Sequence, residues 1–96
     1  MVVTILEGRV APEKGRLLEE AFRQGISRLD AGIAQTFLLR GSKDPSLWRI
    51  LTVWQSREAL EAMRQTGETP RGVLMFRGAG AEPVLSVLDV VAHGAV

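Results

Sequence analysis

The spacing of hydrophobic residues changes several times along the chain and predicts alternating strands and helices. Val2–Val10 begins as an apolar, β-branched run and turns polar towards its end, which is typical of a first strand. Pro12 then suits a first helical turn, and Gly32 supplies a stop. A helix is therefore predicted over residues 12–30. Its apolar positions recur at helical spacing: Leu17, Leu18, Ala21, Phe22, Gly25, Ile26 and Leu29.

A β-hairpin is predicted next. Ile33–Gly41 and Leu47–Gln55 are strand-like, and the turn-forming sequence Ser-Lys-Asp-Pro-Ser separates them. Alternation divides the third strand into two faces, both mostly apolar. One face carries Trp48, Ile50, Thr52 and Trp54, and the other carries Leu47, Arg49, Leu51 and Val53.

The hydrophobic period lengthens after Gln55 and predicts a second helix. Ser56 is a good N-cap, Gly67 ends the helix, and Ala59, Leu60 and Met63 form its inward stripe. Pro70–Gly80 contains a short apolar run that forms either one helical turn or a covering loop. Pro83–Ala92 is predicted to be the last strand.

The predicted order of elements, β-α-β-β-α-(short α)-β, fits one α+β domain spanning residues 1–96. A four-stranded antiparallel sheet with helices on one face accommodates this order, which is ferredoxin-like. Two helices cover only one face of a sheet that is apolar on both. A homodimer through the bare face is therefore expected.

Composition narrows the functional classes. The chain has twelve Lys and Arg against eleven Asp and Glu, no cysteine, no asparagine and no tyrosine. Neither nucleic acid nor a membrane is an expected partner, because there is no basic block and no apolar run of about 20 residues. Without a signal-like N-terminus the protein is expected to be cytoplasmic. The lack of Asn and Cys together fits a heat-adapted source.

The corner between the third strand and the second helix carries a family resemblance. The stretch Trp-Gln-Ser-Arg-Glu-Ala-Leu, residues 54–60, with the order of elements, resembles the dimeric α+β barrel superfamily and its antibiotic-biosynthesis-monooxygenase-like (ABM) branch. The resemblance covers nearly the whole chain. It implies paired sheets in a dimer and a cavity between sheet and helices. Activities in the superfamily range from cofactor-free oxygenation of polycyclic phenols to haem breakdown.

Residue by residue, the resemblance transfers little. Trp54 matches a family tryptophan beside the cavity, but the asparagine and tyrosine of oxygenating members have no counterpart here. Haem-degrading members use a histidine on the second helical segment, where this chain has Met63 and Arg64. No cofactor is therefore expected. Two functions stay open: a cofactor-free monooxygenase acting on a small aromatic or lipophilic molecule, and a non-catalytic dimeric ligand-binding or structural module.

Six residues are predicted to bind the substrate: Trp54, Thr52, Met63, Phe76, Arg77 and Asp89. Trp54 either plugs the strand-to-helix corner or also forms a cavity wall. Asp89 lies in an apolar run, so it is expected to form a salt bridge, with Arg49 as the suggested partner, in preference to acting as a general base. The lone His93 near the end of the chain makes no ordinary zinc site, and no metal is expected.

Overall fold

A computed structural model describes all of residues 1–96, which form one four-stranded sheet and three α-helices. In chain order the elements are β1 Val2–Arg9, a 3₁₀ turn Pro12–Lys14, α1 Gly15–Gly25, β2 Ile33–Arg40, β3 Leu47–Trp54, α2 Arg57–Gln65, α3 Arg71–Gly78 and β4 Val84–Asp89. None of the helices has the length and apolarity needed to span a bilayer.

The sheet is antiparallel throughout, with the strand order β2-β3-β1-β4. Thr4 on β1 lies opposite Thr52 on β3, and Thr52 in turn lies opposite Thr36 on β2. The α+β, ferredoxin-like prediction is confirmed by this order, and the predicted hairpin is the β2–β3 pair.

The helices cover the face that carries Trp48, Ile50, Thr52 and Trp54, which alternation had placed together on one side of the strand. All four side chains are buried. The buried apolar residues form two clusters. The larger cluster consists of Leu6, Val10, Leu18, Phe22, Trp48, Ile50, Phe76, Ala79 and Ala81, and the smaller cluster consists of Val2, Trp54 and Leu60.

The opposite, helix-free face of the sheet is largely apolar. Its apolar side chains are Val3, Ile5, Phe37, Leu39, Leu47, Leu51, Val53, Val84 and Leu88. Phe37, Leu39, Val84 and Leu88 are among the exposed large hydrophobic residues of the chain. Arg49 and Glu7 form an ion pair of 2.6 Å across this face.

The first helix is shorter than predicted. A 3₁₀ turn occupies residues 12–14, and α1 ends at Gly25, not at residue 30. The Arg71 guanidinium donates to the backbone oxygens of Gly25 and Arg28, at 2.7 and 2.6 Å. Because Arg71 supplies donors to these two carbonyl oxygens, they do not need hydrogen bonds from a further helical turn. The helix can therefore end and the chain can turn towards β2 without leaving them unpaired.

The C-terminal half differs from the prediction at two elements. Residues 71–78 form a helix of eight residues, longer than the single turn that was one of the two predicted alternatives. The last strand is Val84–Asp89, shorter than the predicted Pro83–Ala92. Asp89 pairs with Val2, at the start of β1, and Val90 N donates to Met1 O, so the partner strand ends there.

Candidate functional site

A cavity of about 120 Å³ lies between the helix-covered face of the sheet and the three helices. Its apolar lining consists of Leu6, Phe22, Ile26, Leu29, Ile33, Ile50, Trp54, Leu60, Met63, Met75, Leu85 and Val87. Both buried clusters contribute residues to this lining. An apolar cavity of about 150 Å³ is known to hold one benzene molecule, and the volume here is therefore suited to a single small ring.

Three threonines form a row across the sheet side of the cavity. Thr36, Thr52 and Thr4 occupy paired positions on β2, β3 and β1, and all three line the cavity. The hydroxyls of Thr36 and Thr52 are 3.0 Å apart and share a hydrogen bond. Thr4 and Thr52 are each only 9% exposed. The row places polar atoms between the two apolar clusters.

Trp54 occupies the corner where β3 ends and α2 begins. Its Nε1–H donates to Thr4 Oγ1 at 3.1 Å, and its side chain is buried with Val2 and Leu60. Ser56 caps α2 by accepting from the Ala59 backbone N–H at 3.1 Å. Together these contacts fix the indole ring as one wall of the cavity.

The charged residues of the lining are at its rim. Asp30, Arg64 and Arg71 have side chains that are 47, 45 and 41% exposed. Arg71 lies 3.6 Å from Asp30, and Arg64 lies 3.3 Å from Glu61. Each cation therefore has an anionic neighbour, and no charged side chain of the lining is buried.

Three of the six predicted substrate-binding residues meet at the cavity. Trp54, Thr52 and Met63 all line it, from the end of β3 and from the inner side of α2. Trp54 also packs at the corner, so the structure is compatible with both interpretations of this residue.

The other three predicted residues, Phe76, Arg77 and Asp89, do not line this cavity. Phe76 is fully buried in the larger cluster, where its ring lies against Gly8. Arg77 pairs with Glu82 on the surface through two hydrogen bonds of 2.9 Å. Hydrogen bonding to Arg77 is the main reason why the pKa of Glu82 is lowered.

Asp89 forms an ion pair, but its partner is Arg57 and not Arg49. Asp89 lies opposite Val2, on the helix-covered face of the sheet, whereas Arg49 lies on the opposite face with Glu7. The suggested Arg49 pairing was therefore wrong because the two side chains are on different sides of the sheet. The Asp89 side chain is 72% exposed, so the ion pair is at the surface.

Several cavity residues were not singled out from the sequence. Thr4 and Thr36 complete the threonine row, and Met75 lines the cavity from α3. Strand alternation already placed Thr4 on the same face as Val2 and Leu6, which was the available signal. The strand register that aligns it with Thr52 is a long-range property and is not encoded locally.

No group of three or more His, Cys, Asp or Glu side chains is arranged to hold a metal ion. The one histidine, His93, follows β4 and is not among the cavity residues. The lining therefore offers neither a usual metal site nor a histidine ligand for a haem iron.

The fold and the site define a small α+β protein with an apolar cavity between its sheet and its helices. Residues 1–71 match the family model described as antibiotic biosynthesis monooxygenase, ABM. The chain belongs to this family. No curated protein is significantly similar to it in sequence.

Several solved structures share the fold. A Deinococcus radiodurans protein assigned to the antibiotic biosynthesis monooxygenases superposes with a TM-score of 0.74 at 12% identity, covering 100% of this chain and 98% of that one. A mutant of MhuD with two manganese protoporphyrin IX molecules bound per active site superposes with a TM-score of 0.73 at 23% sequence identity, and both chains are covered completely. A conserved protein from Methanosarcina mazei Go1 superposes with a TM-score of 0.69 at 13% sequence identity, covering 90% of this chain and 88% of that one.

Proposed function

We propose that this ABM protein binds a small aromatic or lipophilic molecule in the cavity beside Trp54. The observation that carries the proposal is the cavity itself, which is lined by twelve hydrophobic residues and has its charged residues only at the rim. Concave, mainly apolar sites with a few fixed polar groups are the usual form of small-molecule sites. Thr52, Trp54 and Met63 are the contact residues of the proposal.

The reaction that we propose for this site is cofactor-free oxygenation. A substrate carbanion would react with dioxygen, so that a ring CH₂ becomes a carbonyl group and the second oxygen atom leaves as water. The substrate supplies the electrons. The protein would supply a dry, shaped cavity, with Trp54 and Met63 as walls and Thr52 as a polar contact.

Haem does not fit this site as the residues stand. The cavity volume suits a single small ring, and its lining contains no histidine, cysteine or tyrosine to serve as an axial ligand. Met63 and Met75 line the cavity, but methionine serves as an axial ligand together with a histidine, which the lining lacks. We expect the purified protein to show no Soret band after gel filtration.

A second candidate function is non-catalytic ligand binding. It is favoured by the absence of any charged side chain in the buried part of the lining, and by the lack of asparagine and tyrosine in the chain. A base that removes a substrate proton would have to come from the rim or from the solvent. The two functions share the same binding site and differ in oxygen consumption.

The proposed function further includes a homodimer that forms through the helix-free face. That face carries the exposed Phe37, Leu39, Val84 and Leu88, and a typical stable interface buries about 800 Å² per partner. The paired sheets would leave both cavities on the outer, helix-covered sides.

Ligand titration followed by oxygen uptake tests both candidates. In a Trp48→Phe variant, the remaining tryptophan fluorescence comes from Trp54, which lines the cavity. We expect saturable fluorescence changes with small phenolic ring compounds, and smaller changes in the Trp54→Phe variant, where only Trp48 is left. Oxygen uptake by the complex would support oxygenation, binding without uptake would support the second candidate, and a response confined to Trp48 would contradict the proposed site.

A further inference from the structure

We propose that the threonine row selects ligands with a carbonyl oxygen, so that the site takes a small ring ketone in preference to a plain hydrocarbon ring. This inference rests on the proposed function, because it names the class of ligand for the same cavity. It is carried by the hydrogen-bond arrangement of Thr4, Thr36 and Thr52.

The row has more hydrogen-bond donors than the protein uses. Each threonine hydroxyl has one hydrogen to donate. Thr4 Oγ1 accepts from Trp54 Nε1–H, and its own hydrogen has no acceptor in the protein. Thr36 and Thr52 share a single hydrogen bond, which uses one of their two hydrogens. Two hydroxyl hydrogens therefore remain for a group in the cavity.

Either hydroxyl of the Thr36–Thr52 pair can donate, and when Thr36 donates to Thr52 the two free hydrogens are on Thr4 and Thr52. The spacing of these two donors suits one oxygen atom. Thr4 and Thr52 are direct cross-strand partners, and such side chains lie about 5 Å apart at Cβ. An oxygen about 2.8 Å from each of two hydroxyls fits between positions at that separation. A carbonyl oxygen has two lone pairs and can accept both hydrogen bonds.

Burial makes the match selective. Thr4 and Thr52 are each 9% exposed, and hydroxyl groups in an apolar cavity are stable only when they are hydrogen-bonded. In the free protein, water would accept these hydrogen bonds. A ligand carbonyl reproduces the hydrogen bonds of the displaced water, whereas a hydrocarbon removes the water and leaves the donors without an acceptor.

The absence of a buried cation favours a neutral oxygen over an anionic one. Arg64 and Arg71 are at the rim, and each has a carboxylate neighbour within 4 Å. Two neutral hydroxyls can solvate a carbonyl dipole, but a full negative charge in this apolar surrounding is costly.

The test compares cyclohexanone with methylenecyclohexane, which has the same ring and a CH₂ group in place of the oxygen. Calorimetric titration gives the ratio of their affinities for the wild-type protein and for a Thr36→Val/Thr52→Val double variant. This variant removes both partners of one hydrogen bond and leaves the Thr4 to Trp54 bond intact, so its fold should be little affected. Thr69→Val, on the exposed segment between α2 and α3, is the matched control.

We expect the ratio of ketone to alkene affinity to fall about tenfold in the double variant, as for the loss of one hydrogen bond, and to stay unchanged in Thr69→Val. If the alkene binds, and the ratio of ketone to alkene affinity is the same in the double variant as in the wild-type protein, the threonine inference is overturned and the proposed function stands. No binding of either compound to the wild-type protein would overturn both.

A second measurement does not depend on the variants. The infrared C=O stretch of cyclohexanone bound to the wild-type protein should lie below its position in an alkane solvent, because hydrogen bonding weakens the carbonyl bond. A bound ketone that absorbs at the alkane position would overturn the inference even if the double variant failed to fold.

Discussion

The Trp54 side chain is 4% exposed, donates a hydrogen bond to Thr4 and packs with Val2 and Leu60. Trp54→Ala should therefore lower the free energy of unfolding by about 3–5 kcal/mol, because truncation leaves a cavity and removes the donor. That is a large share of the roughly 5–15 kcal/mol that stabilises a domain. Urea unfolding followed by circular dichroism measures the change.

Trp54→Phe is the control for this prediction, since phenylalanine keeps much of the volume and loses the indole N–H. It should cost less than Trp54→Ala. Equal stability of the wild-type and Trp54→Ala proteins would refute the packing role of the ring.

The candidate site could be predicted from the sequence only where a local pattern determines the face of the strand or helix on which a side chain lies. Trp54 and Thr52 follow from strand alternation, and Met63 from the helical stripe. Phe76 and Arg77 could not be placed because their segment had two possible conformations. In the helix that forms, Met75 lines the cavity while Phe76 lies against Gly8.

At the scale of the elements, Gly32 controls how closely the loop before β2 approaches α2. Its φ is +90°, and a Cβ there would lie 2.5 Å from Ala59 Cβ. Gly67, at the end of α2, has φ +74° with nothing within 4 Å of such a Cβ. Gly67→Ala should cost about 1–2 kcal/mol from backbone strain alone. Gly32→Ala should cost about 1–3 kcal/mol more, because the methyl group also overpacks the α2 contact.

Thermal and denaturant unfolding of the two glycine variants provide the comparison. A cost of Gly32→Ala equal to that of Gly67→Ala would show that α2 moves away freely and would contradict a tight contact between Gly32 and Ala59.

The turn between β2 and β3 has a pH dependence set by Asp44. Its carboxylate accepts from Ser46 Oγ at 2.7 Å and from Arg9 Nη1 at 2.6 Å, and these hydrogen bonds, that of Ser46 first, lower the pKa of Asp44. A lowered pKa in the folded state means that the stabilising contribution is complete above the ordinary pKa of about 3.9 and is lost as the pH falls through the lowered value.

We expect Ser46→Ala to raise the pKa of Asp44 towards its ordinary range, because the largest cause of the shift is removed. Carboxyl ¹³C titration by NMR measures this change directly. An Asp44 titration curve that is the same in both proteins would contradict the assignment of Ser46 as the main cause.

Element order and topology were predictable because apolar periods and turn residues are local signals. The ends of elements were less so. The end of α1 depends on Arg71, far along the chain, which takes the carbonyl groups of Gly25 and Arg28. The end of β4 depends on where its partner β1 begins. Both limits are set by long-range contacts that no local pattern contains.

At the scale of the whole molecule, the helix-free face predicts self-association. Leu51 lies near the middle of this face, opposite Ile5 and Phe37. In a symmetric dimer, Leu51→Lys would bury one uncompensated charge from each partner, so the dissociation constant should rise at least about a hundredfold. Light scattering over a range of protein concentrations measures the dissociation.

Leu74→Lys is the matched control, because Leu74 is exposed on α3 and lies away from the sheet. It should leave the dimer intact. A wild-type protein that is monomeric at micromolar concentration, or equal effects of the two lysine variants, would count against the helix-free face as the interface.

The hydrogen bond between Trp54 and Thr4 gives the protein a built-in spectroscopic reporter. Two tryptophans produce only two indole signals in a ¹H–¹⁵N NMR spectrum. The Trp54 indole N–H donates to Thr4 in the interior. The Trp48 indole N–H has no acceptor in the protein, and since no buried side-chain nitrogen lacks a hydrogen-bond partner, this N–H must be in contact with water. Their deuterium exchange rates should therefore differ, with Trp54 the slower. Uniform ¹⁵N labelling alone would then let compound libraries be screened by following one resolved signal at the cavity wall.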